Sequence, residues 1–493
     1  IRDRQYRVML SRYRGKTKCN SCNGSRLRAD ADYVKINNKS ISEINRMAIS
    51  DATLFFKALK LNSEDQKIAK RIIDEINSRL SYLKDVGLGY LTMERASNTL
   101  SGGESQRINL ATSIGSSLVG SMYILDEPSI GLHPRDSLRL IEVLKKLRDV
   151  GNSVIVVEHD EEMMKSADMI IDIGPYAGRH GGEVVFKGNH SELVKASNSL
   201  TAKYLTGQYK IEVPKVRRKP KDFIIIEQAY LHNLQNITVK IPLNQICVVT
   251  GVSGSGKSTL IGKILHTFLE RFFLTGLVKA SHCNDIKMNF DLVSGVEYIN
   301  QNPIGKSSRS NPITYTKGYD DIRQLFASEK HAKAKGFKPG YFSFNVDGGR
   351  CEKCQGEGQL TISMQFMADV HLKCDECDGK RFKEEVLEVK FKGKNISQVL
   401  EMTVEESLDF FNEDNTLCKK IKSKIFALSE VGLEYVQLGQ ASNTLSGGEA
   451  QRIKLASFLS HNKSKQKKLF IFDEPTTGLH FHDVKKLIKA LQD

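Results

Sequence analysis

Ala441-Ser-Asn-Thr-Leu-Ser446-Gly447-Gly448-Glu449-Ala-Gln451-Arg452-Ile453 nearly repeats Ala96-Ser-Asn-Thr-Leu-Ser101-Gly102-Gly103-Glu104-Ser-Gln106-Arg107-Ile108, 345 residues earlier. Each copy leads through a helical pattern to an apolar run closed by acids: Met122-Tyr-Ile-Leu-Asp126-Glu127-Pro128 and Leu469-Phe-Ile-Phe-Asp473-Glu474-Pro475. A chain that says the same thing twice at this distance is built from two related halves. The repeat runs further. Leu83-Lys-Asp-Val-Gly-Leu-Gly-Tyr90 answers Leu428-Ser-Glu-Val-Gly-Leu-Glu-Tyr435, and Cys19-Asn-Ser-Cys22-Asn-Gly24-Ser-Arg26 answers Cys374-Asp-Glu-Cys377-Asp-Gly379-Lys-Arg381.

Between the copies lies one phosphate-loop pattern, Gly251-Val-Ser253-Gly254-Ser255-Gly256-Lys257-Ser258-Thr259. Glycines let successive backbone N–H groups turn toward phosphate oxygens, and the following helix adds partial positive charge. Lys257 is placed to reach the β/γ-phosphates of ATP and Ser258 to ligate Mg²⁺. A chance glycine-rich turn is the alternative; a strand before it, a helix after it and a later Asp-Glu pair argue against chance. Asp473 is read as holding Mg²⁺ through water and Glu474 as general base, with Asp126 and Glu127 the same pair in the first half. Strand-end carboxylates often only cap helices, but the apolar run, the proline and the repetition favour chemistry.

Ile246–Thr250, Met122–Leu125, Val154–Val157 and Leu469–Phe472 read as buried strands. Helices are expected over Ser105–Thr112, Leu138–Leu147, from Ser258 onward, and from Val484. Strands alternating with helices predict an α/β fold with parallel-sheet cores. No apolar run reaches 18 residues, so no membrane span is expected, and there is no signal-peptide pattern. The chain starts at Ile1 and stops inside a helical pattern, as a fragment cut at both ends would.

The net charge of +15 is uneven. Residues 210–221 hold six Lys/Arg against one Glu, and 306–350 hold nine against four Asp/Glu, so these two stretches carry +10 of it. That suits a polyanion, or equally a solvated linker. Nine cysteines include three CxxC pairs. Cys351-x2-Cys354-x19-Cys374-x2-Cys377 has the spacing of a closed tetrahedral zinc site, structural because four thiolates leave no open position. Cys19 and Cys22 match only its rear pair. Cys247, Cys283 and Cys418 stand alone and read as structural.

The paired signatures resemble the ABC ATPase superfamily, in which signature and phosphate loop come from opposite halves. The resemblance implies that Ser101, Gly102, Gly103 and Glu104 close the site of Gly251–Thr259 with Asp473 and Glu474. Ser446, Gly447, Gly448 and Glu449 would close a second site using Asp126, Glu127 and His159. His159 stands where the superfamily has its switch histidine, and Gln301, in Tyr298-Ile-Asn-Gln301, fits the Q-loop glutamine.

A zinc module between phosphate loop and signature narrows the choice. So do Gln301-Asn-Pro-Ile-Gly-Lys306-Ser-Ser-Arg309-Ser-Asn-Pro-Ile-Thr-Tyr315, Gly349-Arg-Cys-Glu-Lys-Cys-Gln-Gly356, and Asp172-Ile-Gly-Pro175-x2-Gly178 with Gly181-Gly182-Glu183. Together these are similar to the UvrA family of excinuclease ABC proteins over essentially the whole chain; Phe366-Met-Ala368-Asp369 departs from it, since the family usually has proline before the Asp. The resemblance implies a cytoplasmic, homodimeric ATPase that uses Mg²⁺ and zinc, binds double-stranded DNA with lesions and loads UvrB. The first phosphate loop, the UvrB-binding and insertion domains and the end of the second half would lie outside this chain. Lys306, Arg309, Lys317, Lys330, Lys333, Lys335, Lys338 and Arg350 are the expected backbone-contacting cations. A drug self-resistance ABC ATPase of the same type, without UvrB loading, is the near alternative, and a transporter-type ATPase module the distant one.

The implied domains are residues 1–95, the rear of a first signature domain with half of a Cys module, and 96–209, the rear of the first nucleotide-binding domain. A basic linker follows at 210–221. The second half comprises 222–305, the phosphate-loop part of its nucleotide-binding domain, 306–440, its signature domain with the zinc module, and 441–493, its signature and Asp-Glu part.

Overall fold

The computed structural model describes residues 19–100, 102–115, 119–276, 279–305, 307–362, 370–461 and 467–492. By compactness the chain divides into two units, Ile1–Met163 and Met164–Asp493. The segment 164–209, first-half sequence by the repeat, thus falls in the second unit.

In the first unit the strands Met122–Asp126 and Ser153–Val157 pair in parallel, Asp126 opposite Val157. Helix Pro134–Asp149 starts on a proline at its first turn, where a missing N–H costs nothing, and ends on Lys146 and Arg148, which suit the dipole. Its Leu140, Ile141, Leu144 and Leu147 pack with Leu110 and Ala111 of the signature helix Gly102–Gly115 and with Val86, Leu88 and Leu91. The strands are not buried as their apolar runs suggest. Burial alternates along both, and Met122, Ile124, Ile155 and Val157 are 64, 68, 47 and 51% exposed. A strand apolar on both faces needs cover on both, and the described residues of this unit cover one.

Besides the hairpin Gln359–Ile362 and Val370–Lys373, the described residues of the second unit form three sheet pieces and a helical body. Phe223–Ala229 pairs antiparallel with Ile237–Pro242 and with Asp285–Lys287. Gly295–Ile299 pairs in parallel with Lys468–Phe472, bringing residues about 170 positions apart side by side. Ile170–Gly174 and Glu183–Gly188 form an antiparallel pair. The expected buried strand Ile246–Thr250 forms no ladder among the described residues, and Ile246 and Val248 are 55 and 75% exposed. Cys247 is accordingly exposed, whereas Cys283 and Cys418 are buried.

The largest core, built on Ile322, Phe326, Phe342, Phe344, Ile421, Ile425 and Leu428, lies in the helical body between residues 312 and 438 and continues into the signature helix Gly447–His461 through Ile453 and Ala456. Truncating such fully buried side chains to alanine costs about 2–5 kcal/mol each. No described helix is long and apolar enough to cross a membrane.

Candidate nucleotide and metal sites

The phosphate loop takes the shape its glycines permit. Gly251, Gly254 and Gly256 have φ of +150, +76 and +104°, and a Cβ on Gly256 would fall 2.9 Å from Leu234 Cδ2. Asn233 Nδ2 donates to Gly254 O at 2.9 Å, and Lys257 Nζ donates to Gly251 O and Val252 O at 2.7 and 3.1 Å, so the ammonium lies across the loop. Ser253, Ser255, Ser258 and Thr259 follow the same backbone. The helix behind the loop begins at Lys257 and Ser258, runs as a π-helix over Thr259–His266 and continues as an α-helix to Thr275.

This helix packs on the strand that carries the acids' partner. A Cβ on Gly262 would meet Tyr298 Oη at 3.3 Å, and Tyr298 Oη donates to Asp473 Oδ2 at 3.0 Å. Burial and the Asp473 charge push the Tyr298 phenol pKa well up, so it stays a donor. Gln301 Nε2 reaches Glu474 O at 3.4 Å, and a Cβ on Gly447 would fall 3.2 Å from Gln301 Cβ. The second half thus brings Asp473, Glu474, Gln301 and the start of its own signature helix together. Two signature-helix residues tie the knot. Gln451 Nε2 donates to Ile299 O and Asp473 O at 3.1 and 2.9 Å, and Lys454 Nζ donates to Asn300 O, Asn300 Oδ1 and Asn302 O at 2.8–2.9 Å.

The first half repeats the plan inside its own unit. Gln106 Nε2 donates to Asp126 O at 2.7 Å, as Gln451 does to Asp473, and Gly103 lies against Ile130 O as Gly448 lies against Thr477 O. His159 Nε2 sits 3.8 Å from Glu127 Oε1. Burial raises the Glu127 pKa against the opposing pull of His159, with Asp126 and Glu158 adding to the rise. Glu127 and Glu474 share a left-handed backbone, φ +46 and +48°, a conformation costly for any side-chain-bearing residue and common where function fixes a carboxylate. Nothing in the sequence signals it. The pairing of Ser101–Glu104 with the phosphate loop, and of Ser446–Glu449 with Asp126, Glu127 and His159, joins residues of different units; Ser101 itself lies outside the described residues, while Gly102 opens its helix.

Cys351, Cys354, Cys374 and Cys377 converge, with all four Sγ within 4.8 Å of one another and every residue buried. Cys351 Sγ lies 3.9 Å from Cys374 Sγ and Cys354 Sγ 3.6 Å from Cys377 Sγ. A tetrahedral zinc with bonds of about 2.3 Å needs sulfur–sulfur edges of about 3.8 Å, so the donor set fits that ion. Gly358 N–H donates to Cys354 Sγ at 3.3 Å, the kind of contact that steadies a metal-bound thiolate. Cys19 is exposed and Cys22 half-buried, and they join no such cluster among the described residues.

Of the expected DNA-contacting cations, Lys317, Lys330, Lys333, Lys335 and Lys338 are exposed, and Lys306 lies outside the described residues. Three are engaged inside the protein. Arg309 pairs with Glu357 at 3.4 Å, Arg350 with Asp347 at 2.6 Å, and Lys335 with Glu388. The hairpin Gln359–Ile362 and Val370–Lys373 leads out from the cysteines; its tip, with Phe366, Met367, Ala368 and Asp369, also lies outside the described residues.

No protein-family model matches the chain. It is 51% identical over 490 residues to UvrABC system protein A of Clostridium perfringens, covering 98% of this chain and 51% of that protein. It is equally similar, 51% over 489 residues, to UvrABC system protein A of Borreliella burgdorferi, again 51% of that protein. The chain spans about half the length of the curated relatives it matches. Among solved structures it is similar to UvrA2 from Deinococcus radiodurans, with a TM-score of 0.88 at 37% identity over 99% of this chain and 61% of that one.

Proposed function

We infer from UvrA-family sequence along 98% of the chain that this protein is the ATP-hydrolysing, damage-recognising component of nucleotide excision repair, binding lesion-bearing duplex DNA as a cytoplasmic homodimer and loading UvrB. The observation that carries the nucleotide reading is the second-half constellation, where Tyr298, Gln301, Asp473, Glu474 and the signature helix meet beside the phosphate-loop helix. The loop amides of residues 251–258 and Lys257 bind and orient the triphosphate. Ser258 and Asp473 would hold Mg²⁺, which when bound supplies charge neutralisation at the phosphates. Glu474 takes the proton of the attacking water, and Gln301, held against the Glu474 backbone, orients that water. By the superfamily resemblance, Ser101–Glu104 of the other half would close this site, and Ser446–Glu449 the one built on Asp126, Glu127 and His159.

The four cysteines would hold zinc structurally, fixing the base of the hairpin, and the cations at 317–338 would meet the DNA backbone. Glu474→Gln tests the reading. It should leave ATP binding intact, reduce turnover at this site by orders of magnitude, and make the grip on lesion-bearing duplex insensitive to hydrolysis. Unchanged turnover, with the other site disabled, overturns the assignment of the base.

A further inference from the structure

The repeated Val-Gly-Leu-x-Tyr string lies outside the nucleotide-site residues named above, yet its tyrosine reaches the signature in both halves. Tyr435 Oη donates to Glu449 Oε1 at 2.8 Å and accepts from Arg452 NH2 at 3.3 Å, while Arg452 NH1 donates to Gly432 O at 3.0 Å. The other oxygen of Glu449, Oε2, accepts the Ser446 N–H at 2.8 Å, and Ser446 Oγ accepts the Glu449 N–H at 3.2 Å. This is a capping box built on the signature serine itself. Tyr90 Oη donates to Glu104 Oε1 at 2.6 Å in the first half, at the same 14-residue spacing.

In the second unit a further piece presses on the tyrosine. Gly178, φ +62°, lies so close that a Cβ there would fall 2.6 Å from Tyr435 Cβ and 3.3 Å from Tyr435 Cα. The two residues after it are pinned to the same body. Arg179 NH1 reaches Glu406 Oε1 at 2.9 Å, Arg179 NH2 reaches Glu405 Oε2 at 3.2 Å, and His180 Nε2 lies 3.2 Å from the same Glu405 oxygen. These ion pairs are half-exposed and individually weak. They hold the segment in register, while the glycine contact transmits its position. The backbone on either side of Tyr435 is tied to the helical body by Val404 N–H to Val436 O and Glu405 N–H to Glu434 O at 2.9 and 3.0 Å, so the segment's seat acts on the Tyr435 side chain.

We propose that the Pro175–Gly182 segment, carried by first-half sequence, is a latch on the second signature: seated on Tyr435, it sets Glu449 and thereby the orientation of Ser446. Tyr435, Glu449, Gly178 and Arg179 are positioning residues. Withdrawal of the segment frees Tyr435, lets the Glu449 carboxylate leave Ser446, and loosens the first turn of helix Gly447–His461. The proposal rests on the reading of Ser446 as a γ-phosphate contact for its consequence in catalysis, but the latch itself is measured without nucleotide.

The test is hydrogen exchange of the peptide covering 442–453 in the intact protein. Gly178→Ala and Tyr435→Phe should each speed exchange there by roughly five- to tenfold, the scale of one lost helix-capping interaction, with residues 259–275 unchanged. Arg179→Glu should give a smaller increase that Glu405→Arg, made in the same chain, reverses. Rescue by the charge exchange ties the increase to the Arg179–Glu405 pair rather than to a general loss of fold. Unaltered exchange over 442–453 in Gly178→Ala and Tyr435→Phe overturns the latch, as does failure of the charge exchange to restore an increase caused by Arg179→Glu. The nucleotide reading stands or falls separately, on Lys257 and Glu474.

Discussion

Replacing Cys374 with serine should remove the metal and unfold the module without unfolding the body that carries it. Cys374 is fully buried, and its Sγ is 3.9 Å from Cys351 Sγ. Among the described residues, the apolar side chain packed against the cluster is the half-buried Leu360. Burying one leucine contributes at most about 1.5–3 kcal/mol, whereas structural zinc contributes about 10–16 kcal/mol to small metal-folded units near neutral pH. The ion therefore outweighs local apolar packing several-fold, and the module should be metal-dependent. Its edges, however, are anchored in the large core by Phe344 and Phe382, each at most 1% exposed, and by Arg381 NH2 donating to Gly439 O at 3.2 Å. Unfolding should stop there.

The assay is metal content together with hydrogen exchange. Native protein should hold about one tightly bound zinc per four-cysteine site. In Cys374→Ser, or after chelation, the amides of Cys351, residue 374 and Lys380, which bond to Arg381 O, Gly358 O and Cys377 O at 2.9–3.0 Å, should lose protection. Helices Gly318–Ser328 and Thr416–Glu430 should keep theirs. Zinc-free native protein, or full protection of the module after chelation, would show that the metal does not hold this module together.

Glu127→Gln should raise the melting temperature at pH 7: burial raises the folded-state pKa of Glu127, so ionisation costs stability as pH rises from the unfolded pKa through the folded one, and the gain should vanish near pH 4; a lower melting temperature at pH 7 would contradict this. Neutralising the exposed Lys330, Lys333 and Lys338 together should weaken binding to all duplex sequences alike and flatten the log-affinity against log-salt slope by roughly 0.9 per lost phosphate contact; a sequence-selective effect at unchanged slope would rule out a backbone role. Gln451→Ala removes two bonds, to Ile299 O and Asp473 O; Ile299 O keeps the Asp473 N–H at 3.1 Å, so the cost, about 1–3 kcal/mol, should come chiefly from Asp473 O left without its side-chain donor, read by chemical denaturation of the chain.

Much of this is legible in the sequence because the signals are local. Glycines at 251, 254 and 256 announce a phosphate cradle, and Cys351, Cys354, Cys374 and Cys377 announce their cluster by spacing alone. The helix at 134–149 follows from the apolar periodicity of Leu138–Leu147. Apolar runs mislead where burial depends on what covers the second face, as at Met122–Leu125 and Ile246–Thr250. The left-handed Glu127 and Glu474, and the seat of Gly178 on Tyr435, depend on backbone choices and on neighbours over 250 residues away, which no window of sequence contains. Tyr90 and Tyr435 left one usable trace, their recurrence at a fixed distance before the signature glutamate.

Every functional step above requires a working nucleotide cradle in the second half. It is tested most directly by equilibrium binding of MgATP to the protein and to Lys257→Ala, whose native ammonium bridges Gly251 O and Val252 O. Binding to the wild-type second-half site should be saturable. In Lys257→Ala it should be at least about a hundredfold weaker, the loss expected for a charge-assisted phosphate contact of roughly 3 kcal/mol. Equal affinity in the two proteins at that site would contradict the assignment.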